Sequence, residues 1–555
     1  MGHRGKNSSP VRLWAVLILL FHGAVAPADT GGFTERLESR FELFRSSGRL
    51  EAGGESVVEP RLVMALYERA GFRPLWTDGG TAAVLMEWIE RSRREGLNPL
   101  DYHRAALSRA DLDAVDRELL LSDALATLAL HFSAGKADPA RLFKAWNYRP
   151  QLGCTLTVDA LLSAIRSGGI GDLLTRLLPE GIYPALRAVL ARYREIEERG
   201  GWPTIPPGPS LRLGMRDPRV VLLRRRLAIA GDWEGDAGTE PEAFDPALVE
   251  AVRRFQRRHL LVDDGVVGRR TLAALNVPVS HRIQQLRVNL ERLRWLYHSL
   301  PEEFLGVDLA GFQLHLRKGQ RSLWSSPIQV GKPYWQTPVF RDLVTYIDIN
   351  PTWTVPRSIL RRELVPRLLE DPLGFLARHD MELLLPDGRR VDPATVDWTA
   401  VTPRNFPFIL RQRPGPRNAL GRIKFMFPNP YHVYLHDTPS KALFRRPRRA
   451  FSHGCIRVAR PLELAEILLA PNGPQWTRAR VQALIDSGRT RTVVLKRPMP
   501  ILIVYLTAMP DVETPEFVQF RPDLYRRDPR VLRALDRTPR EKGPALGIVN
   551  RAGPC

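Results

Sequence analysis

At 555 residues, with 44% apolar and 26% charged side chains, the chain is too long for one hydrophobic core and too ordinary for global disorder or a membrane bundle, so it predicts three or four folded units. A formal charge of +22 favours polyanionic partners, whether nucleic acid, anionic lipid or cell envelope, without choosing among them. Only 9 of the 82 basic residues are Lys, an Arg bias that genome composition also produces; no basic stripe interleaved with aromatics marks a nucleic-acid groove, and no nucleic-acid partner is expected.

Residues 1–28 read as an export signal. His3, Arg4, Lys6 and Arg12 make a basic start, Leu13 to Val25 is apolar, and Ala26-Pro27-Ala28 offers a small-residue cleavage site. The apolar run is short for a membrane span of about 20 residues. An uncleaved anchor is the alternative, and only then does the chain touch a membrane. Either way the bulk lies outside the cytoplasm, in the periplasm or cell envelope. In such a compartment cysteines usually pair. With three, Cys154, Cys455 and Cys555, at least one lacks an intramolecular partner. A Cys154–Cys555 bridge and a catalytic thiol both remain open.

Residues 33–200 carry a charged helical rhythm, as in Leu119 to Phe132, with no catalytic spacing, and predict a helical scaffold domain. A proline-dense linker from Trp202 to Pro209 follows. In 209–278, Asp217-Pro218 and Asp245-Pro246 each predict a helix start. Val220, Leu223 and Leu227 recur at helical spacing after the first, and Leu248, Val252 and Phe255 after the second. Asp264-Gly265-Val266-Val267-Gly268 is a tight turn before a short helix from Thr271 to Leu275. A helical connector from His281 to Leu300 leads into a β-rich region, 304–508. There Gly311–Leu316, Thr345–Ile349 and Ile423–Phe427 alternate as half-buried strands do. Within it, 356–406 reads as a helical and loop-like insertion crossing over the sheet, a candidate lid. Residues 509–555 are left as a C-terminal tail. The fold class is α+β, multidomain.

Tyr431 to His436 predicts a strand with His432, Tyr434 and His436 on one face. Fifteen residues separate His436 from Ser452-His453-Gly454-Cys455-Ile456-Arg457-Val458, an arrangement that brings one His and one Cys to the ends of neighbouring strands. A thiol at its free pKa is mostly protonated and needs an adjacent imidazole to form the attacking thiolate, and imidazole can return that proton to a leaving amine. Gly454, lacking Cβ, lets nearby backbone N–H groups approach a substrate oxyanion.

These residues resemble the L,D-transpeptidase family, whose motif is a His, some fifteen residues, then Ser/Thr-His-Gly-Cys. Val330–Pro338, Asn350–Pro356, His436–Lys441 and Phe520–Tyr525 resemble its large periplasmic branch, and Ala251–Gln256 with Asp264–Gly268 resembles the three-helix peptidoglycan-binding domain. The resemblance implies Cys455 as nucleophile, His436 as base, the Asp437 carbonyl as orienter of that base, and His453 beside the oxyanion. Arg457 stands where the family often has Asn; it meets either a substrate carboxylate or a local acid. Arg457, Tyr434, Trp353 and Ser452 are candidates for substrate contact, with core packing as the other reading of the two aromatics. The implied reaction attacks the bond between a diamino acid and D-Ala in a peptidoglycan stem and passes the acyl group to a neighbouring stem amine. Stem peptides and glycan are the implied partners, and no metal or organic cofactor is expected.

Four other readings stay on the table. The same site could trim stems as an L,D-carboxypeptidase or attach a protein to the wall. The chain could be a non-catalytic wall-binding scaffold. A zinc site from His432, His436, His453 and Cys455 fits by ligand type but lacks a compact ligand pair.

Overall fold

The computed structural model describes residues 30–148, 156–235, 240–297, 300–510, 514 and 517–539. The export segment, Cys154 and Cys555 fall outside them. Among the described residues no helix is long and apolar enough to cross a membrane.

Four apolar cores organise the molecule. The first belongs to the helical N-terminal region and is centred on the helix Ala114–Ala134, buried along almost its whole length. Asp113 caps this helix through Val115 N and Asp116 N. The connector, Val279–Tyr297, adds Leu286, Leu290 and Trp295 to the same core, so it is a second pillar of that region. The second core lies in the small helical unit, where Val220, Leu223, Leu227, Leu248, Val252 and Phe255 meet. Asp217 receives Arg219 N at 2.9 Å and Asp245 receives Leu248 N at 2.7 Å, which satisfies the orphan donors at the two helix starts.

The third core fills a curled sheet of nine strands. In chain order these are β1 (Glu303–Asp308), β2 (Gln313–Lys318), β3 (Arg321–Gly331), β4 (Arg341–Ile349), β5 (Ile423–Met426), β6 (Leu435–His436), β7 (Ala450–Ser452), β8 (Ile456–Val458) and β9 (Arg491–Val504). Their spatial order is β7-β3-β8-β6-β5-β4-β9-β1-β2, and β2 also pairs with β3. The sheet thereby closes on itself, with β7 outside the ring. Closure removes the open edges that would otherwise invite aggregation.

Two expectations change here. Residues 431–434 are not strand: only Leu435 and His436 pair, and His432 takes a positive φ of 54°. The cause is Asn429, whose side chain bonds Phe427 O, Val433 O, Tyr431 N and Val433 N and folds the segment into a turn. The insertion is not only helix and loop. Trp353–Thr354, Ile409–Gln412, Met381–Leu384 and Arg390–Val391 form an antiparallel sheet, joined to a helical run over 357–368 and the fourth apolar core. This cap therefore extends beyond 406, to Gln412.

The segment read as a tail is structural where described. Val518–Phe520 pairs with Ala508–Pro510, and the helix Asp528–Asp536 buries Val531 and Leu535 against the N-terminal core.

Candidate active site

The site lies where β6 ends and β8 begins. These strands are parallel, with Leu435 opposite Ile456 and His436 opposite Arg457. Because side chains alternate across a strand, Tyr434, His436, Cys455 and Arg457 share one face. Cys455 immediately precedes β8 and His436 ends β6, so the two lie diagonally across this parallel pair. On the other side of β6, antiparallel β5 sets Lys424 opposite His436.

The imidazole is held from behind. His436 Nδ1 donates to the Asp437 carbonyl at 2.5 Å, with the Leu420 carbonyl as a further backbone acceptor. Asp437 is itself fixed, its carboxylate receiving Arg422 N at 2.9 Å and the Lys441 ammonium. His436 is buried, and burial, with the positive charges of Arg457 and Lys424 added, lowers its pKa to about 3 against the support of the Asp437 carbonyl. Burial likewise raises the Cys455 thiol; hydrogen bonds from Tyr434 and the charges of Lys424 and Arg457 pull the other way. At neutral pH the thiol and the imidazole are therefore both neutral. The half-buried thiol donates to His432 O at 3.6 Å.

The loop around Cys455 is braced from three sides. Ser452 Oγ donates to Cys455 O at 2.5 Å and receives Gly454 N at 3.1 Å. Thr337 Oγ1 donates to Gly454 O at 2.8 Å, and Tyr525 Oη donates to Gly331 O at 2.8 Å. The glycines serve backbone shape. Gly454 has φ +117°, a conformation L side chains rarely adopt, while a Cβ there would meet nothing closer than 3.9 Å. Its own N–H is engaged by Ser452 Oγ, and its positive φ is what glycine supplies at this position. At Gly331 a Cβ would strike Trp335 O at 1.9 Å, so only glycine fits beneath that turn.

Residues 302–494 match the L,D-transpeptidase catalytic domain, 61–190 the scaffold domain, and 216–275 the family described as "Putative peptidoglycan binding domain". The chain carries an L,D-transpeptidase catalytic domain. It is 32% identical over 254 residues to a "Putative L,D-transpeptidase" of Haemophilus influenzae, covering 45% of this chain and 50% of the relative. It is 32% identical over 117 residues to an N-acetylmuramoyl-L-alanine amidase of Mycobacterium tuberculosis, covering 20% and 27%. The chain thus spans about half the length of the first relative and about a quarter of the second. A solved L,D-transpeptidase from Mycobacterium smegmatis overlaps it at 14% identity and TM-score 0.17, over 37% of this chain and 58% of that one, too slight a likeness to carry weight. Together the three domains are those of a cell-wall protein of the cell envelope, with a domain that suggests peptidoglycan binding.

The transpeptidase domain brings in residues the sequence did not single out. Lys424 sets its ammonium 4.2 Å from the Tyr434 ring, and burial lowers its pKa. Strand alternation gave its face, but only the register against β6 places it opposite His436. From the cap, Glu363 Oε1 lies 2.6 Å from His453 Nε2, and the Arg362 guanidinium lies 5.4 Å from the Trp335 ring, which in turn stands 5.7 Å from the His453 ring. Glu363 sits in a π-type turn, Leu360–Leu364, a local irregularity frequent at functional sites. Tyr434 is half-buried with its ring edge-on to His436 at 5.7 Å, and its side chain hydrogen-bonds Cys455. Trp353 packs on the cap core and also lines a cleft shared with Arg457. No group of three or more His, Cys, Asp or Glu arranged to hold a metal occurs among the described residues.

Proposed function

We propose that the chain is an exported peptidoglycan L,D-transpeptidase with Cys455 as nucleophile and His436 as general base. The observation that carries this reading is the diagonal placement of His436, at the end of β6, and Cys455, just before β8, with the imidazole proton fixed on Nδ1 by the Asp437 carbonyl. That tautomer leaves the Nε2 lone pair to accept the thiol proton. Nε2 takes the proton as Sγ attacks the carbonyl joining the third residue of a stem, a diamino acid, to its terminal D-Ala. The C–N bond of the tetrahedral adduct breaks, the imidazolium protonates the departing D-Ala amine, and a thioester remains. An amine of a neighbouring stem then attacks the thioester and gives its proton to His436, and the thiol re-forms as the cross-link between third-position residues is made. The Tyr434 hydroxyl, kept protonated by burial, steadies the developing thiolate. His453, held by Glu363, lines the approach to the carbonyl. The small helical unit, 209–278, holds the glycan-linked substrate near the site, in the periplasm.

The test is incubation of the protein with isolated tetrapeptide stems, read by mass spectrometry. Cross-linked dimers, with a stem-mass adduct on the protein that Cys455→Ala lacks, are expected. Trimmed monomers without dimers would reassign the chain as a carboxypeptidase, and an adduct persisting in the alanine variant would refute Cys455 as nucleophile.

A further inference from the structure

A cleft of about 230 Å³ lies between the cap and the barrel, and Arg457, two residues past Cys455, forms part of its wall. The cap contributes Arg367 and His379, the loop that follows it contributes Arg417, and the barrel contributes Arg457, with Thr438 and Ser440 from the loop after Asp437. No Asp or Glu lines it.

The charges in this cleft are unequal. Arg417 is already matched by Asp380, at 2.8 to 3.0 Å from both of its bonding nitrogens. His379 has its pKa lowered by partial burial and by Arg367, Arg378 and Arg417, so it is neutral at neutral pH. Neither Arg367 nor Arg457 has an ion-pair partner among the described residues. Arg457 donates from Nη1 to Gln329 Oε1 at 3.2 Å, and its buried Nε has no acceptor. A largely desolvated guanidinium with unused donors and no counter-ion is costly unless an anion completes it. Arginine presents those donors in a fork that matches a carboxylate.

Position gives the cleft its meaning. Arg457 is two residues past Cys455 and opposite His436, so an anion bound there lies alongside the reacting carbonyl. Arg367 follows Glu363 by one helical turn on the cap, and Glu363 is docked on His453. One cap segment thus pins itself to the nucleophile loop with a carboxylate and presents a guanidinium to the adjoining cleft.

We propose that this cleft is a carboxylate-binding subsite in which Arg367 of the cap and Arg457 of the barrel together grip a free carboxylate of the donor stem. The inference rests on the reading of Cys455 as the acylated nucleophile and deepens it. Two carboxylates fit the chemistry: that of the terminal residue, three bonds from the reacting carbonyl carbon, and that on the side chain of a diamino acid. Either one offsets positive charge beside His436, so that binding of the correct stem also strengthens the base.

The experiment measures single-turnover acylation of the full chain with three tetrapeptide stems: one with both carboxylates, one ending in an amide, and one with lysine at the third position. For the wild-type protein one replacement slows acylation by about tenfold or more, the scale of a charge-assisted hydrogen bond, and identifies the carboxylate bound. Arg367→Gln loses that factor on the parent stem and shows no further loss on the replaced one, while Arg367→Lys keeps part of it. Arg367 is exposed, so thermal unfolding of its variants stays at the wild-type temperature. Equal acylation of the wild-type protein by all three stems, or a parent-stem advantage surviving in Arg367→Gln, overturns the subsite and leaves the nucleophile assignment standing. No acylation by any stem overturns that assignment, and the subsite with it.

Discussion

Two buried histidines in this chain face opposite surroundings. In the scaffold, His103 Nδ1 lies 2.5 Å from Glu55 and Nε2 lies 2.6 Å from Asp123, whose carboxylate also receives Val58 N and Glu59 N. Burial alone would lower its pKa, but the hydrogen bonds of Asp123 and Glu55 outweigh that and raise it to about 9. In the catalytic barrel, His436 meets carbonyls on one side and the cations Arg457 and Lys424 on the other, and its pKa falls to about 3. A scaffold gains from a permanently charged, fully satisfied imidazole. A general base must be empty of its proton when the substrate arrives. Burial acts the same way on both; the sign of the neighbouring charges decides which job each ring can do.

The sharpest way to break this comparison is to remove the proposed base. His436→Gln keeps a polar side chain in the strand but cannot relay a proton, so acylation of Cys455 should slow by about 10²–10⁴-fold with the fold retained. A stopped-flow acylation rate within a few-fold of wild type would show that the ring is only structural. The scaffold ring should fail in the opposite sense. His103→Ala removes the imidazolium and leaves the buried Asp123 carboxylate without that counter-ion, a cost of about 3–5 kcal/mol in stability, while the acylation rate per folded molecule stays unchanged. Denaturant unfolding with active-site titration separates the two effects.

Titration sharpens the contrast. A base with an unperturbed pKa near 6.5 would lose about thirtyfold of its neutral form on going to pH 5. With its pKa near 3, His436 stays neutral there, so acylation should be level between pH 7 and 5. The stability terms run in opposite directions. The His103 contribution is complete below about pH 6.5, the unfolded value, and is lost as pH rises through 9. The His436 contribution is present above about pH 6.5 and is lost as pH falls through 3. Scanning calorimetry should therefore find Tm declining on both sides of neutrality, and a His103→Ala variant should lose the alkaline decline.

What the sequence disclosed follows the range of the interactions involved. Cys455 and His436 stood out through a short motif, and its family resemblance implied the Asp437 carbonyl that the ring does bond. The helix starts at Asp217 and Asp245 were legible for the same local reason. Lys424, Glu363 and Arg367 were not, since each reaches the site through pairing or docking with a segment distant in the chain. The turn at His432 was hidden because its alternating residues suit a strand, and only the four bonds of Asn429 redirect the backbone. The cap sheet was hidden by the brevity of its strands, such as Met381–Leu384, too short for a period to show. Residues 518–536 looked like a tail because Val531 and Leu535 find their partners in the N-terminal core, far away in the chain, and the strand that pairs with Ala508–Pro510 is only three residues long.

The smallest expected effect concerns the join between cap and barrel. Glu363 is partly exposed, so its contact with His453 contributes little to global stability, and Glu363→Gln should leave Tm within about a degree or two. The amide can still hydrogen-bond the ring but carries no charge to attract it. If the contact only closes the cap, KM for the stem should rise a few-fold with kcat held. If it also sets the His453 ring beside the reacting carbonyl, kcat should fall as well, because that interaction matters most as the adduct forms. Trp335 divides these outcomes. Its ring touches both His453 and the Arg362 guanidinium, so Arg362→Gln weakens cap docking while leaving the Glu363–His453 contact in place. A kcat loss in the Glu363 variant that the Arg362 variant lacks would assign Glu363 a positioning role on His453, whereas matching KM rises in both would make it a latch.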